Sequence, residues 1–161
     1  METQNIEKIS FDTFKTQVLS DYKTAFLSRE VSYLGRREVL TGKAKFGIFG
    51  DGKELPQIAM AKVFKNGDFR SGYYRDQTFM FAIDQLSVKQ FFAQLYANTN
   101  IEQEPMSGGR QMTSHYATRS LNEDGSWKKL TAQKNSSSDI SPTAGQMPRL
   151  LGLAQASSVY R

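Results

Sequence analysis

The sequence predicts an α/β chain in which helix predominates. Three observations lead there: an apolar stripe at helical spacing over the first forty residues, a short β-type run at Phe69 to Tyr74, and a helix-start signature at Ser87. Within 161 residues, 39% hydrophobic and carrying 11 Phe and 7 Tyr, there is material for one compact domain or part of a larger one.

Phe11, Phe14, Val18 and Tyr22 recur at spacings of three and four, and Phe26, Leu27, Val31 and Leu34 continue the stripe with no intervening proline. A long amphipathic helix should therefore end near Thr41-Gly42, since glycine is a common helix stop. Lys45 to Lys53 is glycine-rich and reads as a loop. Leu55 to Phe64 suits a buried helix, with Pro56 tolerated in its first turn, where the missing amide has no partner to lose. Asn66-Gly67-Asp68 makes a turn. Phe69 to Tyr74 then reads as a strand running into Arg75, and the end of a strand is where open α/β sheets place ligands. A short helix over about Thr78 to Ile83 follows. Ser87 and Gln90 form a capping-box pair ahead of Phe91, Phe92, Leu95 and Tyr96, and Phe79, Phe81, Phe91 and Phe92 are core candidates. Residues 99–139 are polar and aperiodic, and a loop of that length in a compact domain is functional or disordered. Beyond Pro148, Gly152, Ala154, Ala156 and Ser157 among leucines predict a closely packed helix.

Composition narrows the function. The charge of +5 is spread along the chain and not gathered in a block, so nucleic-acid binding is not indicated, although such a surplus suits anionic ligands. No cysteine is present, which excludes disulfide scaffolds, zinc–thiolate sites and thiol catalysis within this chain. Residues 1–10 have the character of neither a signal peptide nor a transit peptide, and no run is long and apolar enough for a membrane span. The expectation is a cytoplasmic protein.

Three separated segments carry a more specific signal. Tyr73-Tyr74-Arg75-Asp76, Gly109-Arg110-Gln111-Met112-Thr113-Ser114-His115-Tyr116 and Ser141-Pro142-Thr143-Ala144-Gly145-Gln146-Met147-Pro148 lie in the order and near the spacing of three signatures of one family. From about Tyr22 to Arg161 the chain resembles the alpha subunit, or the alpha part of a fused chain, of the thiamine-diphosphate-dependent 2-oxoacid dehydrogenases, nearest the branched-chain (2-oxoisovalerate) type. Gln77 stands where pyruvate-type relatives often have histidine.

The resemblance implies the N-terminal part of a thiamine-diphosphate-binding fold, with residues 1–44 as a helical segment and 45–161 as the first part of the cofactor domain. It implies an enzyme component that releases CO2 from a 2-oxoacid and passes the acyl group to the lipoyl arm of an acyltransferase. A beta subunit or beta domain and an alpha2beta2-type assembly are implied as well. Carried over by position, Tyr74 and Arg75 would contact the diphosphate, as a guanidinium fork can pair with two phosphate oxygens. Ser141 and Thr143 would approach the cofactor, and His115, the only histidine, would stand at the active-site wall. Ile140, Pro142, Gly145 and Gln146 would form a potassium loop, in which Gly145 replaces a threonine and removes one side-chain oxygen. The magnesium-binding Gly-Asp-Gly and its asparagine are expected beyond residue 161, so this chain alone should be inactive.

Gly50-Asp51-Gly52 looks like that magnesium motif, yet no asparagine occurs between Asn66 and Asn98. It reads as coincidence, and Glu54 as a helix-start residue. Read without the resemblance, the chain has two candidate classes: an enzyme fragment, or a basic module for nucleic acid or another polyanion in which Arg36, Arg37, Lys43, Lys45, Lys128 and Lys129 form one patch.

Overall fold

The computed structural model describes residues 9–159. Most of the N-terminal stretch read for targeting character, and Tyr160 and Arg161 at the end of the family resemblance, lie outside the described residues.

Helix α1 (Phe11–Leu40) opens where the Ser10 hydroxyl accepts from the Thr13 amide at 3.2 Å, and it closes at Gly42, whose φ of 76° is the left-handed conformation that glycine adopts without strain. The apolar stripe is buried unevenly. Ser28, Val31, Ser32, Gly35 and Glu38 face the core, whereas Phe11, Phe14, Val18 and Tyr22 are exposed. Close approach explains Gly35, because a Cβ there would overlap the Phe49 ring.

Three shorter helices form where the sequence places them, α2 (Glu54–Val63), α3 (Gln77–Ala82) and α4 (Val88–Leu95), but α2 is not the buried helix expected, since Leu55, Met60 and Val63 are exposed. The Ser87 capping box is complete, with Ser87 Oγ accepting from the Gln90 amide and Gln90 Oε1 accepting from the Ser87 amide. Phe49, Phe79, Met80, Phe81, Phe91 and Tyr116 centre the core, and Phe92 packs at its edge. A ring pair such as Phe64 edge-on to Phe79 at 5.2 Å adds orientation to the burial.

The predicted strand is shorter than expected. β1 covers Phe69–Ser71 only, because beyond Gly72 the chain folds into a turn closed by Asp76. Its partner, β2 (Asn135–Ser137), lies inside the segment read as aperiodic loop. The two pair in parallel, Phe69 with Asn135, Arg70 with Ser136 and Ser71 with Ser137. The intervening crossover carries α3 and α4, which gives the α/β character. The rest of residues 99–139 takes a defined path through a bridge between Leu121 and Trp127 and a single 3-10 turn at Leu130–Ala132.

α5 (Gln146–Val159) corrects one expectation. The sequence predicted close packing around Gly152, but no described α5 side chain is buried and the space about Gly152 is open. The helix is held at its start by Ser71 Oγ donating to Gln146 O at 3.1 Å. A cavity of about 1040 Å³ lies between Leu153, Ala156 and Ser157 on one side and β2 and Trp127 on the other, so this face of α5 is not closely packed. Among the described residues, no helix is long and apolar enough to cross a membrane.

Candidate functional site

Two short segments, nearly seventy residues apart in sequence, meet at the C-terminal ends of β1 and β2. The first is the turn Tyr73–Asp76. Asp76 closes it twice, accepting from the Tyr73 amide at 2.9 Å through its carboxylate and donating its own amide to Tyr73 O at 3.0 Å. The second, Asp139 to Gly145, runs from β2 to the start of α5.

Between them stands His115, 3% exposed. Its ring stacks on Tyr74 with centroids 6.2 Å apart, and its Nε2 lies 2.8 Å from Ser141 Oγ. Nδ1 lies 3.3 Å from the Thr113 carbonyl, which can only accept. In a neutral ring Nδ1 therefore holds the proton and Ser141 donates to Nε2. Gln94, fully buried on α4, anchors this loop by donating to His115 O at 2.7 Å and accepting from the Ser114 amide at 2.8 Å. Ser114 itself, at a φ of 68°, donates to Ile48 O.

The hydroxyls continue the cluster. Tyr73 and Tyr74 share a hydrogen bond between their phenols, and Tyr73 Oη lies 3.4 Å from Thr143 Oγ1. Thr143 and then Tyr74 hold the Tyr73 phenol below the usual range, while the bond from Tyr73 pushes the Tyr74 phenol up. Tyr74, His115, Ser141 and Thr143 thus form one connected group.

Arg75 adjoins that group through Tyr74, whose ring lies 5.8 Å beneath its guanidinium. Its backbone is fixed by Gln57 Nε2 donating to Arg75 O at 2.8 Å. Gly50 lies against the same carbonyl, where a Cβ would come within 2.5 Å. Among the described residues no carboxylate pairs with the Arg75 guanidinium, in contrast to Arg29, Arg36 and Arg70. Arg75 lines a cleft of about 280 Å³ with Arg36, Leu40 and Ile48, and neither Ser141, Thr143 nor His115 lines that cleft.

The Arg75 guanidinium, without a carboxylate among the described residues, and the Tyr74 phenol are free to donate, and these two fit the oxygens of a diphosphate, while the Ser141 hydroxyl gives its proton to His115. The potassium loop fits less well. Pro142 O already accepts from the Gly145 amide at 3.1 Å, Gln146 O accepts from Ser71, and Ile140 Cδ1 lies 2.7 Å from where a side chain at 145 would begin. The loop offers main-chain carbonyls and the Gln146 amide, but no hydroxyl at 145. Among the described residues no three His, Asp or Glu side chains gather as a metal cluster.

The Gly50-Asp51-Gly52 turn has packing duties. Asp51 pairs with Arg36 at 2.7 Å, and the Gly50 amide donates to Gln77 Oε1. Glu54 is the first residue of α2, where it binds Arg29 through both oxygens and accepts from the Gly52 amide. Of the basic residues that could have formed a polyanion patch, Arg36 is thereby neutralised, and Lys43 lies 3.6 Å from Glu38.

Sequence reasoning missed Arg70, Asp139 and Tyr73. Arg70 donates to Asp76 at 2.9 Å, to Asp139 at 3.0 Å and to Ser136 Oγ at 2.7 Å. Burial opposes its charge, but Asp139 and Asp76 overcome that and raise its affinity for the proton. Asp139 Oδ2 also accepts from the Tyr116 amide, while Asp139 Oδ1 and the Tyr116 hydroxyl have no partner among the described residues. The one local signal was Gly72, where a side chain would overlap the Arg70 guanidinium.

Comparison with known proteins gives a family. No protein of curated function matches the sequence. The family pattern described as "Dehydrogenase E1 component" matches residues 22–146, a span that takes in Tyr74, Arg75, His115, Ser141 and Thr143. With most of its length covered, the chain belongs to the dehydrogenase E1 component family, the thiamine-diphosphate-dependent 2-oxoacid dehydrogenases.

Proposed function

We propose that this chain is the N-terminal portion of the alpha component of a branched-chain-type 2-oxoacid dehydrogenase, and that it supplies part of the thiamine diphosphate site. The observation that carries the reading is the convergence of Tyr74, His115, Ser141 and Thr143 beside an arginine that has no carboxylate partner among the described residues. The three sequence signatures that resemble the family are the segments that meet there.

In this reading Arg75 and Tyr74 hold the diphosphate, Ser141 and Thr143 orient the cofactor from the opposite loop, and His115 fixes the Ser141 hydroxyl. Bound thiamine diphosphate supplies the carbanion chemistry of decarboxylation. The residues of this chain bind, orient and exclude water. The acyl group then passes to a lipoyl disulfide of an acyltransferase, one sulfur becoming the thioester and the other a thiol. Magnesium ligands, a beta subunit or domain and the rest of the substrate pocket come from segments outside these residues. A potassium ion, if bound, rests on carbonyls of Ile140 and Pro142 and on Gln146.

The test is the complete enzyme carrying Arg75→Ala. Loss of one charge-assisted phosphate contact should raise the thiamine diphosphate dissociation constant at least about tenfold. Unchanged affinity removes Arg75 from the site.

A further inference from the structure

Arg70 is not one of the residues that would touch the cofactor, yet it contacts both segments that do. Its side chain leaves β1, crosses to β2 at Ser136, and reaches Asp139 two residues before Ser141. The same NH2 reaches Asp76 at the end of the Tyr73–Asp76 turn and lies 3.4 Å from Tyr73 O. It is 7% exposed, and Gly72 leaves the room that lets the guanidinium fold back over its own strand.

Simpler anchors would hold each segment alone. Asp76 already closes its turn through the Tyr73 amide, and Asp139 already accepts from the Tyr116 amide. What Arg70 adds is the tie between them. A buried cation with two carboxylates and a hydroxyl has few alternative arrangements, because leaving any one of the charges unpaired in the interior is costly. The planar fork holds its partners at fixed angles, which a lysine cannot do.

We propose that Arg70 is a positioning residue of the site, its buried guanidinium fixing the Tyr74–Arg75 turn relative to the Ser141–Thr143 segment. The proposal rests on the cofactor-site reading given above. It acts through Arg75, Tyr74 and Ser141, without contact to the ligand.

The test uses the complete enzyme with magnesium and measures the thiamine diphosphate dissociation constant by equilibrium dialysis, at a temperature where each variant is folded by circular dichroism. Arg70→Met should weaken binding about tenfold or more, as outer residues that orient ligand-binding groups commonly do. Arg70→Lys should recover only part of the loss. The double variant Arg70→Met/Arg75→Ala should lose clearly less than the product of the two single losses, since part of what Arg70 does passes through Arg75. Asp139→Asn keeps the shape of the carboxylate and carries the same expectation should Arg70→Met not fold.

If Arg70→Met and Asp139→Asn lower the unfolding temperature but leave cofactor affinity unchanged, Arg70 is a scaffold residue only and the proposal is overturned. Multiplicative losses in the double variant also overturn it. If the wild-type enzyme binds no thiamine diphosphate, or Arg75→Ala has no effect, the site reading itself fails and the proposal falls with it.

Discussion

Buried polar side chains in this protein are spent on holding loops. Glu104, 1% exposed, accepts from the amides of Met106, Ser107 and Gly109 and from the Ser107 hydroxyl at 2.5 Å, so one carboxylate organises the approach to the Gly109–Tyr116 segment. Glu104→Ala would leave those amides buried without an acceptor, and the loss of charge-assisted bonds should cost about 3 kcal/mol in urea unfolding. Glu104→Gln retains one acceptor oxygen and should cost clearly less; equal losses for the two variants would argue against this role. Neither Glu104 nor Arg70 could be read in the sequence. Glu104 sits in a stretch without periodicity, and the partners Arg70 needs are 66 and 69 residues away at Ser136 and Asp139. Tyr74, Arg75, His115, Ser141 and Thr143 enter as candidates only because their neighbours in sequence form signatures, and the geometry adds the link from His115 to Ser141.

At the scale of elements, what was legible is what local chemistry dictates. α1 stops at Gly42 and α4 starts at Ser87 because caps act within a few residues, and both ends fall where the sequence put them. β2 was hidden because Asn135–Ser137 carries no β-type side chains; its strand conformation comes from pairing with β1, a tertiary effect. α5 was misjudged for the opposite reason, as small residues at helical spacing suggest close packing whether or not a neighbour is present. The capping box permits a sharp expectation. Ser87→Ala removes the hydroxyl that accepts from Gln90, and should lower stability by about 1 kcal/mol, measured by chemical denaturation. Ser87→Asp restores an acceptor at the same place and should recover most of that loss; no recovery would mean that the hydroxyl acts by packing.

At the scale of the molecule, the elements are tied together by ion pairs that depend on pH. Arg29 on α1 binds Glu54 at the start of α2, and Glu38 on α1 accepts from Tyr96 just past α4. The bond from Arg29 holds the Glu54 carboxyl below its ordinary value of 4.5, burial works against it, and the backbone amides of Glu54 and Gly52 add to the lowering. A carboxyl whose affinity for the proton is lower when folded binds fewer protons in the native state than in the unfolded one. Its contribution is therefore fully present above about pH 4.5 and is lost as the pH falls through the lowered folded value. The bond from Tyr96 lowers Glu38 in the same sense. Urea midpoints measured from pH 7 to pH 3 should fall on the acid side, and Glu54→Gln should flatten that fall while reducing the midpoint at pH 7. An acid limb of the same steepness in Glu54→Gln would show that the α1–α2 ion pair is not what couples stability to pH.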